Sequence, residues 1–279
     1  MESLTQTLSD LPLGPLRYFE RIGSTNDEAA RWADSGAPDL ALVVANEQTA
    51  GRGRLNRRWY TPPDAALAFS LVLKNSKLQD EILTGLSRLT ALGALAVCDT
   101  FQDLFGLDAQ IKWPNDVLVD QKKLAGILVE AHWQGEQLLA AILGIGINVA
   151  PPSLPAPQDL LYPATCVEDC LISMQSAILK ADRLVLLHDI LKRLLYWRPK
   201  LASQEFLNEW ESRLAFKDQW VQVWLEAGEQ PVENARGFIE GKVLGLTPRG
   251  SLELRDRSGQ EFDLPVGEIR LRLQEKPSE

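Results

Sequence analysis

Leu16 to Ile22 reads as a short strand, and Ser24-Thr25-Asn26-Asp27-Glu28 then opens a helix. Thr25 and Glu28 have capping-box spacing, and Gly36 stands where a helix should stop. Leu40 to Ala45 predicts a buried strand. Gln48 to Pro63 is a polar loop with two glycines, four arginines and two prolines. Leu67, Phe69, Leu71 and Leu73 alternate with smaller or polar residues, which predicts a half-buried strand. Glu81 to Phe105 carries helical periodicity and ends at Gly106. Four strands follow, Ile111–Trp113, Val117–Val119, Leu124–Ala131 and Gln137–Val149, with turns at Pro114-Asn115-Asp116, at residues 120–123 and at Gly135. This is the rhythm of an antiparallel meander, not of βαβ units. Pro151 to Pro163 holds five prolines and reads as a loop. Asp182–Trp197 and Ser203–Leu214 are helices, each begun by a good N-cap residue. From Trp220 the pattern changes to short strands, with turns at Gly228, Pro248-Arg249-Gly250 and Ser258-Gly259, as in a small β-barrel. The expected organisation is an N-terminal tail (1–15), an α+β domain on a mixed or antiparallel sheet (16–215) and a small barrel (216–279).

Composition narrows the class. The chain has 279 residues, 45% hydrophobic, enough for a substantial core. Its net charge of -9 argues against a general nucleic-acid binder, and the segment from 220 onward is roughly charge-balanced. Three cysteines, Cys98, Cys166 and Cys170, imply no disulfide framework. The N-terminus lacks the pattern of a signal peptide, and no run of about 18 apolar residues suggests a membrane span. The cytoplasm is the expected compartment. The two histidines, His132 and His188, join no Cys or carboxylate cluster in sequence, which argues against a zinc site or a Ser-His-Asp triad.

Four segments carry candidate chemistry. Gly51 to Trp59 puts four arginines and no acid in one stretch of an acidic chain. Glycines allow close backbone approach, and arginine forks suit carboxylate and phosphate oxygens, so the loop either wraps an anion or is a solvated basic segment. It is neither a P-loop nor a dinucleotide fingerprint. In Lys112-Trp113-Pro114-Asn115-Asp116 a rigid turn sets an ammonium and a carboxylate beside one ligand, or forms a surface ion pair. Lys123 leads into a buried strand interrupted by Gly126. There it either stabilises phosphoryl charge at the mouth of a sheet or faces solvent. Gly144 and Gly146 leave one strand face flat beside Asn148, or mark a bulge.

In this order and spacing, GRGRxxR with Trp59, KWPND, KLAGILVE and GxGIN resemble the catalytic core of the biotin–protein ligase family. The match is detailed from about residue 17 to 150 and looser through the tail, including Gly267 to Arg272. The resemblance implies a class II aminoacyl-tRNA synthetase-like core plus an SH3-like C-terminal barrel. It implies ATP and biotin as substrates, Mg²⁺ as cofactor, and a biotin carboxyl carrier protein of acetyl-CoA carboxylase as acceptor. By the same resemblance Ser24, Thr25, Asn26 and Gln48 hold the ureido ring, and Arg52, Gly53 and Arg54 close over biotin and its adenylate, with Lys123 and Gly126 beside the biotin. Arg57, Trp59 and Asn148 surround the nucleotide. Lys112 and Asp116 make a phosphate and a Mg²⁺ or hydroxyl contact. Lys123, Arg54 and Lys112 are the expected catalytic residues. Asn56 and Asp64 stand where the family usually has glycine. No winged-helix segment precedes residue 16, as in single-function relatives, and a monomer or homodimer is expected. A lipoate–protein ligase and a non-catalytic biotin sensor remain the rival readings.

Overall fold

The computed structural model describes residues 2–54, 57–74, 86–156, 158, 160, 162–224, 238–265 and 270–273. The expected tail instead begins with a short helix, α1 (Glu2–Thr7), and Leu4 and Leu8 are buried. Strand β1 (Leu16–Ile22), helix α2 (Thr25–Asp34) and strand β2 (Leu42–Gln48) follow. The two strands pair in parallel, from Leu16 opposite Leu42 to Ile22 opposite Gln48. Parallel neighbours need a crossover, and α2 supplies it. The sheet therefore opens with a βαβ unit that the meander pattern did not reveal. The helix cap also differs from expectation. Ser24, extended at φ -151°, is the N-cap and accepts from the Asp27 N–H at 3.4 Å, while Thr25 is the first helical residue. Gly36, at φ +89°, ends the element as expected.

Strand β3 (Ala66–Leu73) lies between β2 and β7 (Gln137–Asn148), and all eight of its residues are buried. The half-buried expectation fails because both faces are covered. Leu67, Phe69, Leu71 and Leu73 join the main core, while Val72, on the other face, packs with Ala29 and Ala33 of α2. Helix α3 (Ser87–Phe105) packs on the main-core face and ends at Gly106, φ +67°; residues 81–85 of the expected helix lie outside the described residues. Strands β4 (Gln110–Lys112), β5 (Asp116–Val119) and β6 (Lys122–Gln134) complete a seven-stranded mixed sheet ordered β1-β2-β3-β7-β6-β5-β4. Helices α4 (Val167–Ser173), α5 (Arg183–Trp197) and α6 (Gln204–Ser212) follow. Asp182 and Ser203 cap the last two through their side-chain oxygens.

A second, antiparallel sheet ordered β11-β10-β9-β8-β12 is built from β8 (Trp220–Trp224), β9 (Phe238–Leu246), β10 (Leu252–Arg255), β11 (Glu261–Leu264) and β12 (Arg270–Leu273). The expected turn at Gly228 and residues 267–269 lie outside the described residues. The turn before β10 touches the first sheet's periphery. Trp113 Nε1 donates to the Gly250 carbonyl at 2.9 Å, and Ser87 Oγ donates to that of Arg249 at 2.9 Å. The three cysteines are free and buried. Among the described residues no helix is long and apolar enough to cross a membrane.

Candidate active site

Strand β7 carries two different surfaces. Leu143, Ile145 and Ile147 point into the main core. On the opposite face Ala140 and Ile142 lie under α2, and then Gly144, Gly146 and Asn148 form the floor of a cavity of about 400 Å³. A Cβ on Gly144 would sit 2.1 Å from Asn26 Oδ1, and one on Gly146 would sit 2.3 Å from Trp59 Nε1. The strand is bare because an amide and an indole lie directly on it. Gly126 of β6 is paired with Gly146, and its own Cβ would lie 3.1 Å from the Trp59 ring and 3.4 Å from Lys123 Nζ. It makes room for these two side chains.

Over Gly144 the wall is neutral and polar. Gln48 Oε1 accepts from the Thr25 backbone N–H at 2.8 Å and from Thr25 Oγ1 at 3.1 Å. Gln48 Nε2 donates to Thr61 Oγ1 at 3.0 Å. The Ser70 hydroxyl lies 2.8 Å from Thr25 Oγ1 and 2.6 Å from Asn26 Oδ1. Ser24, Thr25, Asn26, Gln48, Thr61 and Ser70 are all buried. Each bond nets about 1 kcal/mol, but an unmet buried group costs about 1–3 kcal/mol, so the network fixes its members' orientations. Among the described residues Trp59 Nε1 is buried with no acceptor, an N–H open to a ligand.

Toward Gly126 the wall is charged. Lys123 Nζ lies 2.6 Å from Asp116 Oδ1, and Lys112 Nζ lies 4.0 Å from Asp116 Oδ2. Lys112 also stands over the Tyr162 ring at 3.9 Å. Burial and the Asp116 charge hold the Tyr162 hydroxyl above its usual pKa. Because Asp116 opens β5 opposite Gly126, the lysines are carried by adjacent strands rather than by loops. The expected metal contact does not fit this arrangement. Asp116 already faces two ammonium groups, and no cluster of three or more His, Cys, Asp or Glu exists among the described residues.

The arginine loop closes one side. Gly53 N–H donates to Arg57 O at 2.7 Å and Trp59 N–H to Gly51 O at 2.9 Å, folding the segment into a tight hairpin. Arg54 and Arg57 line the cavity; Leu55 and Asn56 lie outside the described residues. Arg52 was expected on the ligand, yet its guanidinium is held by Asp27 at 2.6 Å and Glu130 at 3.0 Å. Asp64 has φ +60°, a left-handed conformation that Asp tolerates better than most side chains. Asn148 Nδ2 donates to Thr165 O at 3.1 Å, which fixes its amide.

Every residue assigned above to biotin, nucleotide or catalysis lines this one cavity. Sequence reading missed Ser70, Thr61, Glu130, Asp27 and Tyr162. Ser70 alone gave a signal, as a hydroxyl on an otherwise apolar strand. His132 and His188 lie elsewhere, 2.7 Å from Asp34 and 3.0 Å from Asp10.

Comparison with known proteins gives the chain's family. Residues 18–148 match the model of the Biotin/lipoate A/B protein ligase family. The chain is 33% identical over 257 residues to the biotin--[acetyl-CoA-carboxylase] ligase of Paracoccus denitrificans, covering 89% of this chain and 97% of that protein. It is 32% identical over 247 residues to the bifunctional ligase/repressor BirA of Bacillus subtilis, covering 88% of this chain and 70% of that one. The solved structure of the biotin protein ligase from Aquifex aeolicus in complex with biotin and ATP superposes with a TM-score of 0.74 at 26% identity, over 93% of this chain and 99% of that chain. By sequence and by fold, the chain belongs to the biotin/lipoate A/B protein ligase family, on its biotin–protein ligase side.

Proposed function

We propose that the chain is an ATP-dependent biotin–protein ligase, which forms biotinyl-5′-AMP and transfers biotin to a lysine of a carboxyl carrier protein. The observation that carries this is the polarity of one cavity. Its Gly144 end presents buried neutral donors and acceptors, while its Gly126 end presents Lys112 and Lys123. A ureido ring has two N–H groups and a carbonyl, and it satisfies the first end. A carboxylate meeting a triphosphate suits the second. A lipoyl dithiolane, of sulfur and carbon, has no N–H to donate and makes poor use of the polar Ser24, Thr25, Asn26 and Gln48 lining.

In the first half-reaction a biotin carboxylate oxygen bonds to the α-phosphorus of ATP and pyrophosphate leaves. No protein nucleophile is required. Catalysis is positioning plus neutralisation of phosphate charge by Lys123, Lys112 and Arg57. When nucleotide enters, Lys123 exchanges Asp116 for phosphate oxygen, so Asp116 holds the ammonium ready beforehand. In the second half-reaction the neutral amine of the acceptor lysine attacks the acyl carbon and AMP leaves. Arg54 and the rest of the hairpin keep water from the mixed anhydride meanwhile. Any magnesium enters with the nucleotide phosphates rather than on a preformed protein site. The acceptor class follows the names of the relatives, and the cytoplasm, where ATP and carrier meet, is the proposed place of work.

The test is incubation of the chain with magnesium-ATP, a carrier domain and either biotin or lipoate, read by intact mass. Addition of one biotinyl group to a single lysine is expected. Addition of lipoyl alone, or of neither, refutes the proposal.

A further inference from the structure

Glu130 is not part of the cavity wall, yet it touches both things that shape the neutral end. Its Oε2 accepts from Asn26 Nδ2 at 2.7 Å. Its two oxygens also meet the Arg52 fork, Oε1 to NH1 at 3.0 Å and Oε2 to NH2 at 3.0 Å. We infer that Glu130 is a positioning residue: one carboxylate orients the Asn26 carboxamide toward the ligand and latches the arginine hairpin through Arg52.

An ionised carboxylate only accepts, so the Asn26 group facing it must be the NH₂. Asn26 Oδ1 is thereby aimed at Ser70, 2.6 Å away, and lies flat on bare Gly144. The amide presents one fixed pattern of donor and acceptor, and a ligand need not reorient it. The same carboxylate takes Arg52 bidentately, the geometry in which an arginine fork is most directional. Asp27, the helical residue after Asn26, adds a third hold at 2.6 Å. Arg52 pairs with Arg58 across the base of the hairpin, and Trp59 N–H closes onto Gly51 O beside it. Pinning Arg52 therefore pins the turn that carries Arg54, Arg57 and Trp59. Arg52 acts inside the protein, and anion work is left to the other cations.

The hairpin latch stands on geometry alone; its effect on biotin rests on the biotin–ligase reading. The experiment uses the full chain and three variants, Glu130→Gln, Arg52→Gln and the double variant carrying both. Limited trypsin digestion without ligand is followed by mass at Arg54, Arg57 and Arg58. Loss of a partly exposed charged fork predicts about fivefold faster cleavage in each single variant. The double variant should be cleaved within about twofold of Arg52→Gln, because Glu130 acts on the hairpin through Arg52, whereas two independent losses would multiply. In biotin-dependent pyrophosphate exchange, Glu130→Gln should raise KM for biotin about fivefold, with a smaller change in kcat. Cleavage rates equal to wild type in both single variants, or a double variant cleaved about fivefold faster than Arg52→Gln, overturn the latch. If Glu130→Gln does not fold, Arg52→Gln alone decides it. A wild-type chain without biotin-dependent exchange refutes the function instead, and leaves digestion to judge the latch.

Discussion

Gly146→Ala isolates the role of the bare strand. The new methyl would lie 2.3 Å from Trp59 Nε1, 2.4 Å from Cε2 and 2.9 Å from Cζ2. Carbon contacts settle near 3.5–4.0 Å, so ring or strand must give by more than about 1 Å. The strand cannot. Gly146 is buried in the ladder between Ala68 of β3 and Gly126 of β6. The ring can, because its other side borders the cavity. Overpacking a closed core costs about 1–3 kcal/mol, and here relief into the cavity keeps the stability loss at the low end, about 1 kcal/mol. The cost falls on function. Trp59 moves into ligand space beside Lys123, whose Nζ is 5.4 Å from the ring centroid. A misplacement of about 1 Å at reacting groups costs about 10²-fold, which is the loss expected in kcat/KM for biotin-dependent pyrophosphate exchange. Gly23→Ala, with nothing within 4 Å of its Cβ, is the control and should match wild type. In a Trp59→Ala background the second substitution should change nothing further. A Gly146→Ala enzyme within about threefold of wild-type kcat/KM would refute the reasoning.

Other expectations follow from the same geometry. Lys123→Ala should lower pyrophosphate exchange by about 10²–10³-fold, and near-normal exchange removes that lysine from the mechanism. Arg54→Gly should leave adenylate formation partly intact and speed its escape, so retention equal to wild type rules out the shielding role. Burial pushes the Cys166 thiol up to about 12 from its ordinary 9.0. The folded state keeps that proton while the unfolded chain loses it, so the associated stability is complete below pH 9 and is lost as pH rises toward 12. The urea midpoint should therefore fall less steeply above pH 9 in Cys166→Ala; parallel curves refute it.

What the sequence revealed was chemistry that leaves a local mark. The arginines between Gly51 and Trp59, the lysines flanking β5 and the paired glycines of β7 were legible because each breaks the surrounding pattern. What it concealed depends on who covers whom. β3 alternates Leu or Phe with Ala, Ser and Val, which looks half-exposed until α2 is laid on the smaller side. Ser70 becomes a site residue only because that same helix brings Thr25 and Asn26 to it. Glu130 lies 104 positions from its Asn26 partner and 78 from Arg52, so nothing local marks it. The ion pairs of Arg52 were hidden for the same reason, since its counter-charges are distant in sequence. The parallel β1–β2 pairing was not read because a strand–helix–strand order alone does not fix which strands become neighbours.

Trp113 lies between Lys112 and Asp116 of the cavity, and its indole N–H ends on the Gly250 carbonyl. Gly250 itself has φ +81°, and a Cβ there would stand 2.6 Å from the Trp210 ring. The two sheets are therefore poor candidates for mix-and-match assembly. A C-terminal sheet grafted from a relative whose turn lacks a glycine there would strand the Trp113 N–H, at about 1–3 kcal/mol. The disturbance would arise within the very turn that sets the lysine–aspartate pair, so chimeras must carry both halves of that joint together.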